Sequence, residues 1–283
     1  MVQSSAMAPG APEWLDELTL RTEAPWLPMG TRALRDAPLL QGDGAGAQEL
    51  RRRKEQLLTS ARHDVVVAMP GTEAVATEAA DLVARAVGQG LDPALPPLEA
   101  AALLVPDDLV VLADHQGSWR MAAGVVCFPS HWSPPSKLGL PVADIHGPVP
   151  GYADELRPRV DRFLDNLTPG RPVWRRNWTV HASAELHAPH PVTVAGPVAP
   201  PHHWLRSERQ ALAALPLSAG ILFTIGTEQV QLDVLRQKPD TASRLAAALR
   251  ATPTDLARYR FGDLDIAGIA SWLERHATVG RPG

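Results

Sequence analysis

The residues best placed to do chemistry begin with His146, which sits in ADIHGPVPG with a glycine after it and two prolines close behind. Proline fixes φ at about −65° and glycine lets a backbone approach closely, so such a loop holds an imidazole over a flat ligand with little entropy left to lose. A neutral imidazole so held suits a metal or a haem iron. The same ring bonded to a loop carbonyl would be structural, and spacing alone leaves both readings open. The stretch around it, CFPSHWSPPSKLGLPVADIHGPVPGY from Cys127 to Tyr152, also contains His131 and the only cysteine. Cys127 closes an apolar run, where a free thiol behaves as a small buried hydrophobe; thiolate ligation is the alternative.

A second group lies in RPVWRRNWTVHA, whose period-two alternation marks a strand. Trp174, Arg176, Trp178 and Val180 share one face; Arg175, Asn177, Thr179 and His181 share the other. Arg176 between two tryptophans is poorly hydrated and suits a carboxylate or a propionate, with pairing to Glu208 or an aspartate as the structural alternative. In HHWLRSERQALAAL, Leu205, Leu212 and Leu215 recur at helical spacing, which makes Arg206, Glu208 and Arg209 a solvent-facing charge group at a helix start. On that helix the adjacent His202 and His203 point in different directions and do not share a metal. No HExxH, no two-His-one-carboxylate spacing and no Gly-x-Ser-x-Gly occurs, so hydrolysis has no visible seat.

These residues need a scaffold, and the chain is large enough to build one. It has 283 residues, 45% of them hydrophobic. A net charge of −4 and a pI near 6.2 supply no field for nucleic acid or an anionic membrane. The longest apolar runs, such as AGILFTI at Ala219–Ile225, fall far short of the ~20 residues of a membrane span, and the start MVQSSAMAPGAPEW lacks the pattern of a secretory signal. A cytoplasmic protein is expected. One cysteine excludes an intrachain disulfide, an iron–sulfur cluster and a four-thiolate zinc site.

Periodicity predicts an exposed amphipathic helix over Gln48–Arg62, its arginine run solvated, and a second helix over Glu73–Val87 stopped by Gly88. GDGAG at Gly42–Gly46 reads as a flexible loop, because no strand precedes it as a dinucleotide fingerprint requires. A hairpin follows, with Leu109–Leu112, a turn at Asp114–Gly117 and a second strand over Trp119–Phe128. YADELRPRVDRFLDNL reads as a helix, AGILFTIGT as a strand, and Thr241–Arg250 and Asp265–His276 as closing helices. Helices, then a mainly antiparallel sheet, then helices describe an α+β fold. Residues 1–20 are expected to be a disordered segment ahead of one domain over 21–283.

In order, PWLPMGTRAL, PLEAAALLVPDDLVVL, GVVCFPSHWSPPSKLGLPVADIHGPVPGY, VDRFLDNLTPGRPVWRRNWTVH, RSERQALAALPLSAGILFTI and LARYRF resemble the haem-dependent oxidative N-demethylase-like family. The resemblance implies a PAS-like antiparallel sheet with flanking helices that binds haem b. It implies a monooxygenase that uses O2 to remove an N-methyl group from a small amine or amino-bearing natural product, or performs a related oxidation. By the same motifs His146 is the axial iron ligand, and Arg176, Asn177, Trp178 and Arg206 are cofactor-pocket candidates. Glu208, Asp107 or Arg176 would deliver protons. With no flavin or nicotinamide fingerprint and too few cysteines for a cluster, electrons must come from an external reductase or ferredoxin. The basic run Arg51–Lys54 would be its dock if it is not merely solvated. The competing readings are a haem-PAS gas sensor without turnover, and an N-oxygenating or peroxide-driven biosynthetic haem enzyme.

Overall fold

A computed structural model describes residues 10–278 except 36, 43 and 45. Seven strands form one antiparallel sheet: β1 (Arg32–Ala33), β2 (Val66–Ala68), β3 (Asp108–Asp114), β4 (Trp119–Val125), β5 (Val173–His181), β6 (Trp204–Ala214) and β7 (Ile221–Gln231). Their order is β1-β5-β6-β7-β3-β4-β2, and the fold is α+β.

Local chemistry accounts for the main elements. β3 and β4 join through Gln116 and Gly117, both at positive φ (58° and 76°), between reciprocal His115–Ser118 backbone bonds. That is the two-residue turn whose twist matches paired strands. The helix Glu73–Val87 ends as expected on Gly88, in the left-handed region at φ 67°. Gly220, just before β7, has no room for a side chain, since a Cβ there would lie 2.4 Å from Val75 Cγ2. That helix therefore seats directly on the sheet.

The two faces of the sheet bury different partners. Helices Glu73–Val87 and Pro97–Leu104 cover Leu109, Val111 and Leu222, while helices Pro239–Ala251 and Ile266–Thr278 cover Trp178, Val180 and Leu205. On the opposite face Val110, Leu112, Met121, Leu212 and Ile225 form a shorter apolar floor, roofed in part by Leu164 of the helix Arg157–Asp165.

Several expectations are corrected. HHWLRSERQALAAL is not a helix: Trp204–Ala214 is β6, paired along its whole length with β7 and, over Trp204–Leu212, with β5. Its leucines satisfy two buried faces rather than one helical stripe, and sheet pairing overrides the helix preference of Ala, Leu and Arg. Arg206 and Arg209 are accordingly buried, not solvent-facing. The segment expected to be loose through residue 20 joins a core: Trp14, Leu15 and Leu18 pack with Trp178 and Leu205. Residues 1–9 lie outside the described part, as do 43 and 45 of the GDGAG loop. The strand expected to reach Phe128 ends at Val125, and helices Pro97–Leu104 and Thr254–Phe261 were not anticipated.

The helix Ala47–Ser60 holds a further surprise, because Lys54 within its basic run is fully buried. Its Nζ donates to the carbonyls of Val105, at 3.2 Å, and Asp107. It also lies 4.0 Å from Asp108 Oδ1. Asp108 in turn accepts the backbone N–H groups of Cys127 (2.9 Å) and Phe128 (2.8 Å), fixing where the proline-rich loop leaves the sheet. Removing one partner of a buried pair strands the other charge, so Lys54→Met is expected to cost about 3–5 kcal/mol in chemical denaturation. A loss below ~1 kcal/mol would show that Asp108 does not depend on this lysine.

Candidate functional site

Alternation along the strands puts Arg175, Asn177, Thr179 and His181 of β5 beside Gln210, Glu208 and Arg206 of β6, on the same face as Val110 and Phe223. Above this face lies a hollow of about 1280 Å³. It exceeds the ~300–1,000 Å³ usual for one drug-sized ligand. One end is walled by Val110, Leu112, Met121, Leu212 and Phe223, the other by the polar side chains just named.

The proline-rich loop forms part of the wall and is tied down at two points. At its start Arg206, almost fully buried, donates to the carbonyls of Phe128 and, at 3.2 Å, Leu186, and reaches Glu208 Oε1 at 3.3 Å. Further along, a short turn, Val142–Ile145, follows Pro141 and delivers His146. Nδ1 of His146 donates to the Val142 carbonyl at 2.8 Å, and its ring stacks on Tyr152 with centroids 5.1 Å apart and planes 17° from parallel. The carbonyl bond fixes the tautomer, and Nε2 has no hydrogen-bond partner among the described residues. As a residue His146 keeps an exposed surface, yet desolvation of its ring against the hollow wall, reinforced by the charges of Arg175 and Lys137, lowers its pKa despite the Val142 bond. The loop carbonyl and the ligand role are thus compatible, since one nitrogen serves each.

A second imidazole pair lies in the same hollow. His131, at φ 60°, and His181 meet edge to face with centroids 4.9 Å apart, and Ser130 Oγ is 3.2 Å from His181 Nε2. Burial, then Arg206 and His131, push the His181 pKa down to about 3. Among the described residues no group of three or more His, Cys, Asp or Glu side chains could cage a metal ion. A lone neutral imidazole with one free nitrogen, such as His146, suits iron that a macrocycle already holds. With an unpartnered neutral imidazole, an apolar floor and cationic polar walls, the hollow fits a haem.

Of the expected site residues, His146, Arg176, Asn177, Trp178, Arg206 and Glu208 line this hollow, and Asp107 does not. Three of the expected side chains find their polar partners outside it. Arg176 points to the other face, where Glu17 (2.7 Å), Glu228 (2.6 Å) and Ser207 (3.0 Å) engage its guanidinium. Trp178 packs in the helix-covered core, its Nε1 donating to the Thr19 carbonyl at 3.1 Å. Asp107 is fully buried, with Oδ2 accepting from Gln41 N at 2.9 Å, and burial raises its pKa to about 6. Asp107 is not part of the hollow's lining, and the guanidinium of Arg176 is already paired with two carboxylates. Arg175 was missed: the alternation separates it from Arg176, but tryptophan neighbours mark the core-facing side, not the ligand side. Cys127 is buried with its thiol pushed up to about 12, as a hydrophobe and not a thiolate.

His131, His146, His181 and His203 all have lowered pKa values, each with burial as the main cause. A histidine kept neutral when folded but protonated when unfolded makes the unfolded chain bind more protons, so stability falls as pH drops below about 6.5. His181→Gln is expected to reduce that acid slope by about one proton, or ~1.4 kcal/mol per pH unit between about pH 5.5 and 4, in pH-dependent denaturation of the cofactor-free protein. An unchanged slope would mean that His181 is solvated. Residues 85–264 match the family described as haem-dependent oxidative N-demethylase, alpha subunit-like, and the chain belongs to that family.

Proposed function

We propose that this protein is a haem b monooxygenase that removes a methyl group from a small amine or amino-bearing natural product, and that His146 would hold the haem iron. The observation that carries the reading is the His146 post: one nitrogen committed to Val142, the other free on a ring that lines a large, partly apolar hollow. When bound, haem supplies, with O2 and two electrons, the oxidation of a carbon next to nitrogen, after which the carbinolamine loses formaldehyde. The antiparallel sheet with helices between its hairpin and its later strands supports the PAS-like description.

The chain's own groups would then divide the work. Val142 and Tyr152 orient the His146 ring, and the Nδ1 bond to Val142 leaves Nε2 as the nitrogen with a free lone pair. Val110, Leu112, Met121 and Phe223 exclude water from the apolar end. Glu208 holds its carboxylate between Arg206, at 3.3 Å, and Gln210 Nε2, at 3.1 Å, and is the one carboxylate that the strands put on the hollow's lining among the described residues. It would face a substrate ammonium and take or return a proton at Oε2. Ser130 and His181 would relay protons at Oγ and Nε2. Electrons would come from a separate reductase or ferredoxin.

The test is an absorption spectrum of protein grown with ample iron, oxidised and reduced, beside His146→Ala. The wild type should show a Soret band that shifts on reduction, and the variant should lose haem or lose that shift. With O2 and a reducing system, N-methylated amines should release formaldehyde, and Glu208→Gln should lower kcat/KM for them about tenfold or more, as removal of a charged partner does. Reversible O2 binding with no consumption of reductant would sink the enzyme and favour a gas sensor.

A further inference from the structure

Buried arginines in this sheet are, as a rule, matched. Arg176 has Glu17 and Glu228, Arg206 has Glu208 and two carbonyls, and Arg209 donates to the carbonyls of Leu39, at 3.1 Å, and Pro38. Two half-buried arginines, Arg175 of β5 and Arg260 of the helix Thr254–Phe261, differ. Nη1 of Arg175 makes one long bond, 3.4 Å, to the Met29 carbonyl, and Nη2 of Arg260 donates to the Trp178 carbonyl. No other side-chain hydrogen bond and no carboxylate within ion-pair distance engages either guanidinium among the described residues. Each carries five N–H donors in a rigid fork, so most go unused. Their spare nitrogens are not entombed as Nε of Arg120 and of Arg206 are; both residues line the hollow.

The two cations also work against each other. Burial lowers the pKa of both, and Arg175 helps to push Arg260 down to about 10, with only the more distant charge of Glu208 favouring Arg175. The Arg260 guanidinium is held in place by lying 4.2 Å from the Trp178 ring centroid. Two desolvated, like-charged, pre-positioned forks facing one space are a receptor for anions, and their planar geometry selects carboxylates.

We infer that Arg175 and Arg260 form a carboxylate clamp on the rim of the hollow, and that it grips the two propionates of haem. The inference rests on the haem reading above. The occupant must present carboxylates at one edge and an apolar body toward Leu212 and Phe223, while leaving an imidazole within the electrostatic reach of Arg175, as His146 is. Haem has that layout. An amine substrate instead seeks the carboxylate of Glu208.

The experiment compares binding of haem b and of its dimethyl ester, which lacks both carboxylates, to the cofactor-free full chain, read by Soret titration. Wild type should bind haem about ten- to a hundredfold more tightly than the ester, the effect of losing charge-assisted hydrogen bonds. Arg175→Met and Arg260→Met should each weaken haem about tenfold or more while leaving the ester's affinity unchanged, and Arg175→Lys should recover part of the loss. Because the ester comparison is made on wild-type protein, it stands even if a variant fails to fold. Equal affinity for haem and ester in wild type overturns the propionate clamp and leaves the haem reading intact. If, in addition, succinate raises the melting temperature of wild type but not of Arg175→Met, the pair belongs to a free acid. Absence of any Soret complex in wild type ends the haem reading itself, and the clamp with it.

Discussion

Everything in the hollow depends on one buried guanidinium. Arg206 stands in the middle of β6, and from there it takes the carbonyls of Phe128 and Leu186 from two different loops and holds them over the sheet. At the start of β3 Asp108 holds the amides of Cys127 and Phe128, with Lys54 balancing its charge. Residue 128 is thus gripped at both its amide and its carbonyl. Such double anchorage is costly in desolvation, and it acts by specifying a single arrangement more than by adding stability.

The sheet therefore works as a partition. One face is committed to helices and packs densely, with Gly220 allowing Val75 to come into direct contact. The other keeps only a partial roof, and the residues that roof it, from Leu164 to Tyr152, lead to the histidine post. Because side chains alternate, each strand gives one set of residues to stability and the next set to the site. Arg176 with its two glutamates and Arg175 with nearly none are consecutive residues with opposite duties.

Much of this could be read from residue order, and the failures have physical causes. The alternation of β5 was legible because its polar and apolar positions differ sharply, as was the hairpin, whose Gln116–Gly117 turn needs two positive φ values. The rigid setting of His146 was legible because the proline and glycine around it constrain the backbone, and the structure places the residue on the hollow's lining. β6 was not legible: a strand buried on both faces has no alternation, and its leucines fell by chance on a helical period. For Arg176 the carboxylate pairing was legible but its partners, Glu17 and Glu228, were not, because a tryptophan neighbour signals burial without saying which layer supplies the carboxylates. Lys54 was hidden for a related reason, since a lysine amid arginines looks solvated until tertiary packing brings the Val105 and Asp107 carbonyls to it.

β1 covers only Val173 and Trp174 at the outer border of β5. Beyond them, Arg260 closes that border, its guanidinium on the Trp178 carbonyl and its own carbonyl accepting from Thr179 Oγ1 at 3.0 Å. A charged cap of this kind denies a foreign strand the backbone groups it would zip onto. One side chain is thereby asked both to hold a ligand and to keep neighbouring molecules from polymerising along this border, so evolutionary drift at position 260 is constrained by colloidal behaviour as well as by binding.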